Sequence, residues 1–319
     1  MTIEIIGTES LGVRGLCCLV KIRERRIVID PGIALGYMRN GLLPHPCQVA
    51  VGIKVRQDII RALETATDIV FSHFHGDHIP LFHANPFQLS FQQLPTHFQD
   101  LRCWSKSDKD LSPKIQLRSF ELAELLGPNM KVAEGCSDGP LRFSEAVPHG
   151  LPNSRFGGVM MTRIDMGDGV FVHASDIQLL DDATVEKILK WQPDIVFASG
   201  PPLYLNSLNA MLRKQAWENG LRLARNVDTL ILDHHLLRCE EGAVWLDNLR
   251  KTSGGKVCCG ADFMGKPRLL LEARRSYLYQ KMPVPENWHQ DYFQGKASVE
   301  KYGTFTGSGF KGSKLTLNP

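Results

Sequence analysis

The chain opens on alternation: TIEIIGT, then CCLVKI and RRIVIDPG, separated by Gly, Arg-Glu-Arg and Asp-Pro-Gly turn signals. Apolar runs divided in this way predict a meander of β-strands. Residues 31–56 are rich in Gly and Pro, show little period and read as a long loop. QDIIRALETA (57–66) has apolar residues at helical spacing and leads into TDIVFSH, a short buried strand. From about 80 to 115 no firm pattern emerges. ELAELLG (121–127) predicts a helix closed by Gly127. KVAEG, LRFSEAVPHG, GVMMTRIDMGDGVFVHASD, DIVFASG and TLILDHH are strand-like, and helices are predicted at 182–191 and 209–225.

Strands, helix, strands, helix, strand is the order of sheets packed between helices, an α/β or α+β layered domain. With 319 residues, 43% hydrophobic and 22% charged, the chain has the make-up of a globular protein with a sizeable core. A net charge of +3 and a pI near 8.4 do not call for nucleic acid as an obligatory partner, and do not exclude one. The first residues lack a basic stretch followed by an unbroken apolar run, so no signal peptide is expected, and no stretch is apolar for long enough to span a bilayer. Eight cysteines without a CxxC read as reduced, mostly buried thiols, and the expected location is cytoplasmic. Residues 1–280 are expected to form the domain, and 281–319, ending in a Gly/Ser/Lys-rich tail, a partly flexible extension.

Chemistry enters at residues 71–80, FSHFHGDHIP, which crowd His73, His75, Asp77 and His78 onto one turn after a strand. Imidazole and carboxylate suit Zn²⁺, Fe or Mn²⁺, and the absence of thiolates excludes a zinc finger. Four ligands on one segment make an awkward cage for one ion and a comfortable start for two, about 3.5–4 Å apart. The further donors must come from elsewhere. His149 after FSEAVP, Asp176 after VFVHAS and His234 after TLILD each stand where a strand gives way to a loop.

The motif set resembles the metallo-β-lactamase superfamily: Asp30 in IVIDPG, then HxHxDH at His73, His75, Asp77 and His78, then His149, Asp176 and a last histidine, His234 or His235, in the family's order. The resemblance implies a four-layer αββα sandwich with the site at one edge. It implies one metal held by His73, His75 and His149, a second by Asp77, His78 and His234, and Asp176 bridging them. Asp30 would orient the ligand loop from behind. The ions would be two divalent metals, zinc foremost, with iron or manganese as alternatives. They would carry a hydroxide of pKa about 7, with Asp77 orienting that water as base and His235 serving as acid.

The implied protein is a binuclear hydrolase of an ester, lactone or phosphoester, acting on a small-molecule or phosphoester substrate. ESLGVRG (9–15) is like the opening of the nuclease and phosphodiesterase branch, so an RNase Z-like phosphodiesterase or ribonuclease is the first alternative. A non-hydrolytic diiron redox or binding scaffold is the second. Asp176 and His234 lie too close in sequence for a β-CASP insertion. The whole chain looks most like an uncharacterised group of superfamily hydrolases sharing ESLGVR, IDPG and LDHHLLR stretches. A homo-oligomer is allowed. His83 and His97 are candidates for touching substrate, and His45 for lining the mouth. His173 is expected to be packed; Arg274–Arg275, beside Tyr277 and Tyr279, is a candidate for touching nucleic acid or a substrate phosphate, with a solvated helix face or a subunit contact as the usual outcome of such a stretch.

Overall fold

The computed structural model describes residues 1–109, 111–152 and 157–302. The predicted meander forms as β1 (Thr2–Thr8), β2 (Leu16–Ile22) and β3 (Arg25–Ile29), paired antiparallel. Helix α1 (Pro46–Glu64) then crosses to β4 (Asp68–Phe71), which lies parallel to β3. β5 (Arg102–Ser105), α2 (Pro113–Leu126) and β6 (Met130–Val132) extend the parallel half to a six-stranded sheet in sequence order.

The second sheet repeats this plan. β7 (Ser137–Asp138), β8 (Leu141–Phe143), β11 (Thr162–Asp165) and β12 (Val170–Ser175) pair antiparallel, while β9 (Val147–Pro148) and β10 (Gly158–Val159) form a separate ribbon. β13 (Ile195–Ala198), β14 (Thr229–Leu232) and β15 (Val257–Cys258) follow in parallel, linked by α3 (Asp182–Lys190), α4 (Ala210–Asn226) and α5 (Glu240–Thr252).

Side-chain alternation decides the layering. Leu16, Cys18 and Val20 of β2 join Ile27, Ile29 and Val70 in a core shared with Phe143, Ile164 and Phe171 of the other sheet. The intervening Cys17, Leu19, Val28, Ile69 and Phe71 face α1 and α2 through Val55, Ile59, Leu63 and Leu122. Val185, Leu223 and Leu249 of α3, α4 and α5 pack on the second sheet. The result is the αββα sandwich that the motifs imply.

Three expectations need correction. Residues 46–56 are helix, not loop, because Pro46 occupies the first turn and a capping box closes the end: His45 Nδ1 accepts from Cys47 N while Gln48 Oε1 accepts from His45 N. His45 is therefore a buried cap and lines no mouth, its Nε2 meeting the Met282 carbonyl at 2.9 Å. Arg275 is fully buried, donating to Gln48 Oε1 and the Leu42 carbonyl, so it is not on a solvated face, whereas Arg274 is partly exposed and pairs with Glu240.

After α6 (Gly260–Phe263) and α7 (Arg275–Lys281), α8 (Trp288–Phe293) returns the chain to the α1 side of the first sheet, where Trp288 and Tyr302 enter the core. The tail from residue 303 lies outside the described residues. No helix among the described residues is long and apolar enough to cross a membrane.

Candidate metal centre

Every donor comes from a strand end on one edge of the sandwich. His73, His75, Asp77 and His78 follow β4, His149 follows β9, Asp176 follows β12, and His234 and His235 follow β14. Donor atoms of His73, His75, His149 and Asp176 lie within 4.8 Å of one another, as do those of Asp77, His78 and His234, and those of Asp176, His234 and His235. Asp176 thus stands between two donor groups. Most are buried, and the opening lies on the side of His75 and Asp77, which are partly exposed.

Asp30 organises the first wall. Its Oδ1 accepts from Ser72 N (2.8 Å), and its Oδ2 from Ser72 Oγ (2.7 Å), Ser175 Oγ (2.8 Å) and His78 Nδ1 (2.9 Å). Burial alone would raise this carboxyl, but the hydrogen bond and charge of His78 outweigh it and bring the pKa to about 2. With Ser72 donating to Asp30, its oxygen is left to accept from His73 Nδ1 at 2.8 Å. Both His73 and His78 therefore carry their proton on Nδ1 and turn a bare Nε2 inward.

The interior then presents donors to donors. His73 Nε2 lies 3.0 Å from His75 Nδ1, and His149 Nε2 lies 2.8 Å from Asp176 Oδ2. His78 Nε2 faces Asp176 Oδ1 at 3.3 Å, and both atoms are buried without a hydrogen-bond partner. Two lone pairs at that distance in a dry site repel unless a cation sits between them. A proton on His78 is one such cation: burial opposes it, but Asp176 and Asp30 push the pKa well above the ordinary imidazole value. A divalent metal is the other. Burial holds His75 and His234 well below the ordinary value, the neutral form that coordination requires. The residues present fit a metal centre on this chemistry.

The last pair of histidines splits in role. Gly15 N–H donates to His234 Nδ1 at 3.1 Å, placing the proton on Nε2, 3.3 Å from Asp77 Oδ2. Gly15 has φ +136, and a Cβ there would meet the Asp77 carbonyl oxygen at 2.8 Å, so only glycine brings this N–H into place. His235 Nε2 lies 3.1 Å from Asp176 Oδ2 and its Nδ1 3.5 Å from Tyr204 Oη, and burial pushes it down to about 3.

Several residues at the site were not singled out from the sequence. Arg238, buried, reaches Tyr204 Oη (3.3 Å), Asp77 Oδ2 (3.4 Å) and Glu9 Oε2 (3.4 Å). Its Nη2 lies 2.6 Å and 3.3 Å from the two ring nitrogens of His234, a difference far smaller than the width of the ring, so it covers the ring face. Gln178 meets His149 Nδ1 at 3.0 Å. Ser10 donates from N (2.8 Å) and Oγ (2.5 Å) to Asp233. The ESLGVRG stretch thus clasps LDHHLLR through three pairs: Glu9 with Arg238, Ser10 with Asp233 and Gly15 with His234. Each stretch stands out in the sequence, but nothing local says that they meet.

Other candidates lie apart. His97 contacts the Leu63 carbonyl, His83 is exposed beside Glu121, and His173 is buried against the Leu16 carbonyl.

No family model matches the chain. A UPF0282 protein of Methanosarcina mazei is 49% identical over 302 residues, covering 95% of this chain and 99% of the relative. A UPF0282 protein of Thermococcus sibiricus is 32% identical, covering 89% and 98%. Among solved structures, Tm1679, a metal-dependent hydrolase of the beta-lactamase superfamily, is similar over 81% of this chain and 94% of its own, with 14% identity and a TM-score of 0.48.

Proposed function

This chain belongs to the UPF0282 family, and from that footing we propose that it is a binuclear metal-dependent hydrolase cleaving an ester, lactone or phosphoester bond. The observation that carries the reading is the pair of partnerless buried atoms, His78 Nε2 and Asp176 Oδ1, facing each other at 3.3 Å among neutral imidazoles. His73, His75 and His149 would hold one ion. Asp77 and His78 would hold the second together with His234, or with His235 in its place, and Asp176 would serve both. Bound divalent ions supply Lewis acidity and a water nucleophile available near neutral pH.

The rest falls to the side chains. Asp30 holds the lone pairs of His73 and His78 inward through Ser72 and its own Oδ2. Asp77, ionised because the hydrogen bond from His234 and nearby cationic charges outweigh its burial, orients the attacking water. Neutral His235 would give its Nε2 proton to the leaving group as Nδ1 takes one from the Tyr204 hydroxyl at 3.5 Å, leaving a phenolate beside Arg238.

The test is elemental analysis after anaerobic purification and reloading with Zn, Fe or Mn, followed by a panel of p-nitrophenyl esters, lactones and bis(p-nitrophenyl) phosphate. Two metals per chain with turnover in one substrate class is the expected result. Fewer than two metals would sink the binuclear reading, and full loading with no turnover would sink the hydrolase.

A further inference from the structure

We propose that Arg118 and Arg39 form a clamp for an anionic group, phosphate or carboxylate, that the substrate carries next to its scissile bond. The step rests on the hydrolase reading only in taking the His/Asp centre as the reacting end.

Arg118 lies on α2, half-buried, and reaches the ligand loop: a Cβ on Gly76 would stand 3.3 Å from its Nη2. Gly76 separates His75 from Asp77, so this guanidinium lies against the ligand loop between its two partly exposed donors. Among the described residues Arg118 makes no hydrogen bond or ion pair; Asp77 and Glu121 are the acids whose charge it feels. Asp77 is already engaged by His234 and Arg238. Burial disfavours the charged form of Arg118 and lowers its pKa, outweighing the charges of Asp77 and Glu121.

Arg39 comes from the loop between β3 and α1. Its Nη2 donates to the Arg238 carbonyl at 3.0 Å, and its guanidinium lies 4.7 Å from the centroid of the Tyr204 ring. The same Tyr204 carries the hydroxyl that meets His235 and Arg238. Arg39 is thus fixed in place beside the centre, and no carboxylate among the described residues pairs with it. Arg238 differs, since Glu9 and Asp77 already contact its guanidinium. Two guanidinium groups without a hydrogen-bonded carboxylate, one against the ligand loop and one seated on Tyr204, suit the paired oxygens of a phosphate or carboxylate.

Isothermal titration of inorganic phosphate and of succinate, into the zinc-loaded protein and into the same protein stripped with EDTA, tests the clamp separately from the metal. Arg118→Gln and Arg39→Gln are each expected to weaken anion binding roughly tenfold in both states, with metal content equal to the parent's. The anion whose affinity falls names the group recognised. Unchanged affinity for both anions, or a loss seen only where metal is also lost, overturns the clamp. A protein that binds no metal yet keeps arginine-dependent anion binding would overturn the hydrolase reading and leave the clamp standing.

Discussion

Asp30 and Ser175, from different sheets of the sandwich, are joined by a 2.8 Å hydrogen bond and both hold left-handed backbone, with φ of +48° and +53°. Aspartate tolerates that region and serine does so less readily. Such strain persists where the surroundings over-determine it, and here the surroundings are the donors of the proposed centre. Replacing Asp30 with Asn keeps a residue suited to the backbone and puts an amide among groups that donate. Metal affinity should fall roughly 10–100-fold with an unchanged far-UV circular dichroism spectrum, measured by competition with a chromogenic chelator. Parental affinity would show that Asp30 does not set the ligands.

His234 and His235 can be told apart by separate substitution. His235→Ala should lower kcat by roughly 10²–10⁴-fold with both metals retained in elemental analysis. His234→Ala should lose the second metal. The reverse outcome would make His235 the ligand and His234, with its proton held on Nε2 by Gly15, the proton carrier.

Gly32 packs on the ligand loop so closely that a Cβ would lie 2.3 Å from both the His78 carbonyl carbon and Ile79 N. Backbone atoms cannot step aside as a flexible side chain can. Gly32→Ala should cost at least about 1–3 kcal/mol in denaturant unfolding and weaken metal binding with it. A stable variant with normal metal content would mean that the loop has room the packing does not reveal.

Asp68 is buried, and Arg25, Arg102, Trp104 and Thr67 all donate to it. Burial would raise its pKa, but the Arg25 hydrogen bond leads the contributions that lower it. A depressed folded-state pKa gives stability that is present above the unfolded value, about 3.9, and is lost as pH falls through the folded one. Asp68→Asn should therefore cost about 3–5 kcal/mol near neutral pH, the cost of breaking a buried pair. The gap from the parent should narrow below about pH 4. A deficit independent of pH would assign the loss to packing.

What the sequence makes legible is what is local. HxHxDH packs four donors into six positions, and His149, Asp176 and His234 announce themselves by following strands. Arg118, Tyr204 and Arg238 carry no such mark, because their meaning comes from neighbours brought in by α2, by the loop after β13 and by the clasp with Glu9. The first turns of α1 were hidden by Pro46 and Gly52, ordinarily loop residues, and by a histidine serving as cap. Arg275 was hidden by its charge: the carbonyl of Leu42 and the amide of Gln48, far away in sequence, together with the buried Glu272 carboxylate, make its burial tolerable.

The clasp between residues 9–15 and 232–238 also has a bearing on how the protein is made. Its three pairs join positions separated by 219, 223 and 229 residues. The first strands can emerge from the ribosome and pair early, but Ser10 must wait for residue 233 and Glu9 for residue 238 to be synthesised before they find their partners. A nascent or prematurely ended chain would therefore display two unpartnered polar groups destined for burial, a chemical mark of incompleteness. Closing the clasp removes that mark in the same movement that brings the last histidines to the centre.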